Sequence, residues 1–499
     1  MLFQLLWLLL LGLITYLLLR RGVAAITKTS IWLLWLVMMT PAFSWVTWVV
    51  VHGDRTPMPI SLIVMIFVLC LMMYGLLVQL GRLNASVSEP VAEESDKDVI
   101  PPSPTKPATP ATPPRPITQD EETTLRTCFP WTVFPLQNLE YRPQAVICRG
   151  QLRSQPEVAY ETIREKVEDQ FGDRFVIVFQ KDFNEKPFFA VILNPYRRDP
   201  ASEKVPDLLT RPLLAIAFLL ITLFTTTVAG VAMVDITTPQ WLSNPSLLLQ
   251  GLAYAVPLMS ILGGHEFVHY AVARHYQIRT TLPFFIPMPF FLGTFGAMTQ
   301  MRSPIPHRKA LFDINAVSPW VGFIITLGCL WWGLSHSEVI PIPPEGAGIF
   351  NFNALDPSFS FLLTVLSKLA LGAKLTVAQA IDLHPVAIAG YLGFVVTAFN
   401  LLPIGQLNGG HIVHAVFGRR TAIVIGQITR FLVLALSLVQ GEFLVLAILL
   451  FFLPLHDEPA LNDVSELDNI RDFMGLATLT LLLFMILPMP QMVAAWMQY

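Results

Sequence analysis

The pentad His265-Glu266-Phe267-Val268-His269 lies inside an apolar run from about Leu247 to Val272. Residues four apart share one face of a helix, so the two imidazoles can hold one metal ion. Glu266, one residue along, is placed to work on a bound water. In zinc hydrolases with this spacing the metal polarises the scissile carbonyl and lowers the pKa of its water, and the glutamate takes the proton. Ionisable groups within a membrane-length apolar segment are costly and are functional candidates by default. The bland alternative is a pair of histidines satisfied by hydrogen bonds between packed helices.

Two histidines leave a catalytic zinc one protein ligand short. A later apolar segment, about 386–404, ends in Asn400-Leu401-Leu402-Pro403-Ile404-Gly405-Gln406-Leu407-Asn408-Gly409-Gly410-His411. Pro403 and the glycine pair bend or unwind this helix. Its inner end reaches the depth of the pentad, which makes Asn408 the candidate third ligand. His411 and His414 follow on a helix and are the substitutes to weigh. Between the two segments, residues 281–302 spread Pro283, Pro287, Pro289, Gly293 and Gly296 through an aromatic run. That pattern excludes a straight spanning helix. Irregular backbone at membrane depth is tolerated only against protein or a cavity, so a re-entrant loop or hairpin beside the metal is expected. A strand edge there could bind an extended peptide by strand addition.

The elements that must position these groups belong to a membrane protein. Of 499 residues, 54% are hydrophobic and 13% charged. The charged fraction is about half that of an ordinary soluble domain. A net charge of -3 gives no reason to expect nucleic acid as a partner. The four cysteines form no metal or disulfide pattern. Cys70 and Cys329 lie in apolar segments, and Cys128 and Cys148 read as reduced thiols.

Four regions follow in order. Residues 1–84 read as three membrane helices, at 3–19, 31–51 and 59–80, with Trp45 and Trp48 as interface anchors. Arg20, Arg21 and Lys28 place the first connection inside by the positive-inside rule. Residues 85–119 are a proline-crowded linker expected to be extended and disordered. Residues 120–205 read as a small α+β soluble domain on the cytoplasmic or stromal side. Its elements are a strand at 145–152, a helix at 156–171, and two strands at 174–181 and 187–193 flanking Asn184. It carries no catalytic constellation, and a binding or regulatory role is expected, with a regulatory partner.

Residues 206–499 hold the pentad. Helices are expected at 212–234, 247–272, 311–334, 386–404, 422–439, 443–455 and 473–488, with a short amphipathic piece near 359–371. The whole is a polytopic α-helical membrane protein with about 8–10 transmembrane helices. His384 reads as the cap of the segment at 386–404, and Arg430 as paired inside the bundle or snorkelling. The acidic stretch Asp457 to Asp472 reads as a solvated loop.

HEFVH in one membrane segment, a Pro/Gly-rich loop, and then NLLP followed by a Gly-Gly pair resemble the site-2 protease family of intramembrane zinc metalloproteases. FFIPMPFFLGTFGAM, NLLPIGQLNGGH and DEPALNDVSELDNIRD are similar to its chloroplast and cyanobacterial branch. The resemblance covers roughly 200–499 and, more weakly, the soluble domain. It implies one zinc ion held by His265, His269 and position 408, with Glu266 as general base. It implies that Asn400 helps bind substrate or stabilise the oxyanion. The implied reaction is hydrolysis of a peptide bond in or near the membrane segment of a membrane-anchored substrate, in a plasma or thylakoid-type membrane.

One position departs from the family pattern, which has aspartate where this chain has Asn408. An amide oxygen can ligate zinc but brings no charge, so the metal should be held more weakly. The chain is then a weakly active variant, a pseudoprotease, or a form inactivated by substitution. The intact Glu266 argues against complete natural decay. Two further readings compete with the protease: a catalytically silent membrane scaffold that binds membrane partners, and a transporter. Broken helices and buried polar groups occur in transporters too, but a transporter does not need the HExxH spacing, and the two halves show no obvious repeat.

Overall fold

The structure is a computed structural model. It describes residues 30–52, 117–142, 145–182, 185–194, 212–234, 238–288, 292–342, 351–376, 379–439, 443–454, 457 and 459–490, with scattered positions before 78 and after 490. The expected helices at 3–19 and 59–80 and the linker at 85–116 lie outside the described residues, apart from such scattered positions. Asn184 and residues 289–291 do too.

Contacts divide the chain into two units, one of residues 1–109 and 430–452 and the other of 110–429 and 453–499. In the first, α1 (Ile31–His52) is apolar throughout. Its Trp35 Nε1 donates to Gly12 O at 2.7 Å. The same unit contains α11 (Leu444–Phe452) and the second half of α10 (Arg419–Val439). Arg430 lies with its guanidinium 6.0 Å from the ring centre of Phe451, an interaction that tolerates an apolar setting.

The second unit holds a sheet domain and a helical bundle. The sheet domain starts with α2 (Gln119–Thr127), closed by a capping box between Thr118 and Glu121. Then come β1 (Leu136–Arg142), β2 (Ala145–Gly150), α3 (Pro156–Phe171), β3 (Phe175–Lys181) and β4 (Pro187–Leu193). The antiparallel sheet has the order β1-β2-β4-β3. Tyr160, Ile163 and Val167 of α3 join its core. Phe179 and Phe189 stack at 4.0 Å, with Phe134 edge-on to Phe189 at 4.9 Å. Burial pushes the Cys148 thiol far above its ordinary pKa, and Cys128 and Cys148 are free thiols. The expected strand-helix-strand-strand order is present, and β1 and α2 are added to it.

In the bundle, α4 (Pro212–Met233) packs on α5 (Leu248–His275), and α5 packs on α6 (Arg308–Ser335) and α8 (Pro385–Leu401). Between α5 and α6 the chain forms a hairpin of β5 (Phe284–Pro287) and β6 (Thr294–Met298). Its base is closed by Thr281 N donating to Gln300 O at 3.0 Å and Arg302 N to Arg279 O at 2.7 Å. Two buried hydroxyls tether its tip: Tyr254 of α5 donates to Leu292 O at 2.9 Å, and Thr225 of α4 to Gly293 O at 2.6 Å. Gly293 O also accepts from Met288 N at 3.1 Å, so the tip is held both across the hairpin and from the helices.

Beyond α6, the strands β7 (Glu338–Pro341) and β8 (Gln379–Asp382) pair around α7 (Phe361–Leu371). Neither strand is expected from the sequence, since four residues are too few to set a period. His384 caps α8 as expected, its Nδ1 accepting from Val386 N at 3.3 Å. After α8 come α9 (Asn408–Phe417) and, beyond α11, α12 (Asn469–Ile486).

Six helices among the described residues are long and apolar enough to cross a membrane. The expected segments at 386–404 and 443–455 form helices of 17 and 9 residues, short of a full span by themselves. The fold is that of a predominantly helical, polytopic membrane protein.

Asp313 of α6 is a node of this packing. It accepts from Arg471 of α12 at 2.8 and 2.7 Å and also from Tyr276, just past α5. Asp313→Ala removes the acceptor of Tyr276 and leaves Arg471 with Asp468 alone. It is expected to lower stability by about 1–3 kcal/mol, read as a lower thermal midpoint of the detergent-solubilised protein with unchanged helix content.

Candidate functional site

The pentad lies about two to three turns before the C-terminal end of α5, ahead of Arg274 and His275 in its last turn. His269 is buried at 8% exposure, and Glu266 is half-buried beside it. The carboxylate Oε1 of Glu266 lies 3.2 Å from Nδ1 of His265. A helix from elsewhere in the chain completes the group. Asn408, at the first position of α9, places its amide nitrogen 3.2 Å from Nε2 of His265, across 143 residues of sequence. His265, Glu266 and Asn408 are thus together, with His269 four residues along the helix from His265. Asn400 stands half-buried in the last turn of α8, and among the described residues no hydrogen bond joins it to the pentad.

Steric fit explains how Asn408 arrives there. The chain leaves α8 at Leu401 and reverses through Pro403 and Gly405. A Cβ on Gly409 would stand 1.9 Å from the carbonyl oxygen of Leu401, so the approach is open to glycine alone. On the other flank α6 presents Gly322 to His265. A Cβ there would lie 3.2 Å from His265 Cβ, so this glycine lets α6 press on the imidazole and hold its ring in place.

The donor set is consistent with a zinc ion. Two imidazole rings and an amide supply nitrogen and oxygen donors at one place. Nδ1 of His269 is buried with no hydrogen-bond partner, a cost that a metal or a reoriented ring would relieve. Among the described residues no three His, Cys, Asp or Glu side chains form a metal-holding group, and Asn408 is the further ligand-type side chain that stands beside His265.

A second polar cluster sits one turn further along α9, and the sequence reading of 457–472 as a solvated loop does not hold. Asp457 is buried, and its Oδ2 receives Nδ1 of His414 at 2.5 Å and lies 3.1 Å from Nδ1 of His411. The other nitrogen of His414 faces Asp463 at 3.0 Å. Arg308 donates to the carbonyls of His414 and Ala415 at 3.2 and 2.6 Å. Its guanidinium thereby serves the carbonyls near the C-terminal end of α9, where a cation is favoured. The loop is held in by partners more than 40 residues away in the chain, which its own composition does not announce. The only local hint was the spacing of His411 and His414 on one helical face, which calls for acidic partners.

An HExxH pair on a membrane-length helix, met by a ligand-type side chain from a broken second helix, defines the class: a polytopic membrane protein with a zinc-hydrolase motif in its bundle. The comparisons name it further. Residues 253–439 match the family model of Peptidase family M50. Residues 123–200, the sheet domain, match the model of the EGY3 middle domain.

Among curated proteins, the chain is 28% identical over 369 residues to the probable zinc metalloprotease EGY2, chloroplastic, of Oryza sativa subsp. indica, covering 72% of this chain and 65% of that one. It is 27% identical over 368 residues to the probable zinc metalloprotease EGY1, chloroplastic, of Arabidopsis thaliana, covering 69% and 66%. It is 32% identical over 248 residues to the probable zinc metalloprotease EGY3, chloroplastic, of rice, covering 46% and 41%. The chain therefore spans just under two thirds of the length of the first relatives it matches. No solved structure matches it.

Two outcomes follow from this geometry. Gly322→Val forces α6 off His265, and the protein is expected to lose zinc-binding capacity, measured by metal analysis after dialysis, while keeping its helix content. Burial alone would push the Asp457 carboxyl up, but hydrogen bonds from His411 and His414 hold it well below the usual carboxylate range. A depressed folded pKa contributes stability above the unfolded value of about 4 and loses it as pH falls through the folded one. Acidification from about pH 5 to about pH 3 should therefore lower the thermal midpoint more in the native chain than in Asp457→Asn.

Proposed function

We propose that this chain is an intramembrane zinc endopeptidase of the site-2 protease type, acting on peptide bonds in or near the membrane segment of anchored protein substrates. The observation that carries the proposal is the 3.2 Å approach of Asn408 to His265. Two segments that the motif alone leaves unconnected meet where the third ligand is required. The names of the EGY relatives, each a probable zinc metalloprotease, support the same reading.

His265, His269 and Asn408 would hold one zinc ion, which when bound supplies Lewis acidity to the scissile carbonyl and its attacking water. Glu266, beside His265, takes the proton of that water and returns it to the leaving amine. Asn400, at the inner end of α8, is the candidate for holding the substrate backbone or the developing oxyanion. The β5–β6 hairpin is the candidate re-entrant element. It stands against α4 and α5, and Phe285 reaches the helix face at Gly263, two residues before the pentad. An extended substrate segment added to this hairpin would run past Glu266. The relatives' chloroplastic names and the apolar helices support a multi-pass location in a photosynthetic membrane, with the sheet domain on the stromal or cytoplasmic side and open to a regulatory partner.

The neutral amide at 408 favours a second reading, a catalytically silent scaffold that binds membrane partners without cutting them. Cleavage of a membrane-anchored reporter, reconstituted with this chain, separates the two. Asn408→Asp restores a charged ligand and is expected to bind zinc more tightly and to cut fastest. Adding Glu266→Gln to that variant should lower the rate by about 10²–10⁴-fold, the size of a lost general base. Equal rates in all forms would remove the catalytic reading. Zinc binding with no cleavage even in Asn408→Asp would favour the scaffold.

A further inference from the structure

The stretch 457–463 does more than fill space between α11 and α12. At one end Asp457 grips His411 and His414, on the helix whose first residue is Asn408. At the other end residues 461–463 pass between two parts of the unit, with isolated bridges at Asn462 on both sides. Phe179 N of β3 donates to Leu461 O, and Asp463 N returns a bond to Phe179 O at 2.9 Å. On its opposite edge, Leu461 N donates to Ile305 O at 2.8 Å and Asn462 N to Pro306 O at 3.0 Å, just ahead of α6. Both pairings are parallel bridges centred on Asn462. This segment therefore pairs with the β3 edge of the sheet domain and fastens it to the start of α6.

The side chains reinforce this link. Asn462 is 3% exposed, and its carbonyl oxygen accepts from the backbone of Val464 and Ser465 at 3.3 and 3.2 Å. Val464 is buried in the core of the sheet domain. Asp463, whose backbone pairs with β3, turns its carboxylate to His414. A single residue thus joins the sheet edge to the helix of the third ligand. Around His414 the charges balance, since two carboxylates face one imidazole beside Arg308. Removing any one of them leaves a buried charge without its counterpart, so α9 has one well-defined seat.

We propose that Asp457 is a positioning residue for Asn408, and that the bridging segment 461–463 makes its grip on α9 depend on the sheet domain being seated at β3. The positioning stands on the contacts above, and its catalytic meaning rests on the protease reading. Seating of the domain then governs how closely Asn408 is held to His265, and a partner that competes for the β3 edge would loosen the metal centre without touching it.

Hydrogen exchange on the full-length chain in lipid nanodiscs, free of metal, tests the positioning directly. Asp457→Asn is expected to speed exchange of the α9 amides about tenfold while α3 and α5 keep their protection. Asp457→Glu should restore most of it. Asn462→Ala acts from the far end, and should speed exchange of Phe179 and of α9 together. It carries the test even if Asp457→Asn does not accumulate. In the Asn408→Asp background, the same changes should weaken zinc binding, measured by competition with a chelating dye, and lower kcat on the reporter with KM unchanged. Unchanged α9 exchange in both Asp457→Asn and Asn462→Ala overturns the proposal, whatever the reporter shows. Altered exchange in a chain that never cuts the reporter keeps the positioning and sinks only the protease reading.

Discussion

The candidate centre depends on how closely one backbone can approach another. The reversal from α8 to α9 brings Gly409 so near the Leu401 carbonyl that no side chain fits between them. That contact decides where Asn408 stands. A wider turn, by even one methyl group, would move the first residue of α9 away from His265. The same logic operates on the opposite flank, where Gly322 lets α6 lean on the His265 ring. Polar groups inside an apolar bundle survive only when their partners are held at fixed distance. Here that distance is set by what glycine leaves out rather than by what any side chain adds.

Much of this arrangement was legible from residue types and spacing. The long apolar runs mark α4, α5, α6 and α12, because a helix that is apolar all round has no other use at that length. The pentad and the broken segment before Asn408 point to each other, because two imidazoles need a third donor. In the sheet domain, Pro156 and Gly172 bracket α3, and the apolar runs of β3 and β4 are plain. β1 was not legible, since its seven residues bury only Leu139 fully and mix polar with apolar positions. The bridging segment at 461–463 was not legible either. An acidic stretch looks solvated until its partners are known, and those partners sit on α9 and β3, far off in the chain.

Two polar clusters share α9 and differ in kind. Around Asn408 the groups are neutral donors and a carboxylate, arranged so that something positive is wanted between them. Around His414 opposite charges already answer one another, with Asp457 and Asp463 against His414 and Arg308. A self-neutralised cluster has little to offer a ligand and much to offer rigidity. On the proposed protease reading, chemistry falls to the first turn of the helix and anchorage to the turns that follow.

The buried side chain of Val464 bears on how the molecule is made. The sheet domain spans roughly residues 117–194, yet one part of its apolar interior is supplied by a residue translated after nearly the whole bundle. Domains generally form as they leave the ribosome, first part first. This one emerges early with a gap in its interior and an uncovered sheet edge. It waits, incomplete, while the later helices are inserted. A residue that follows most of the bundle helices in the chain therefore closes the interior of a domain that precedes them.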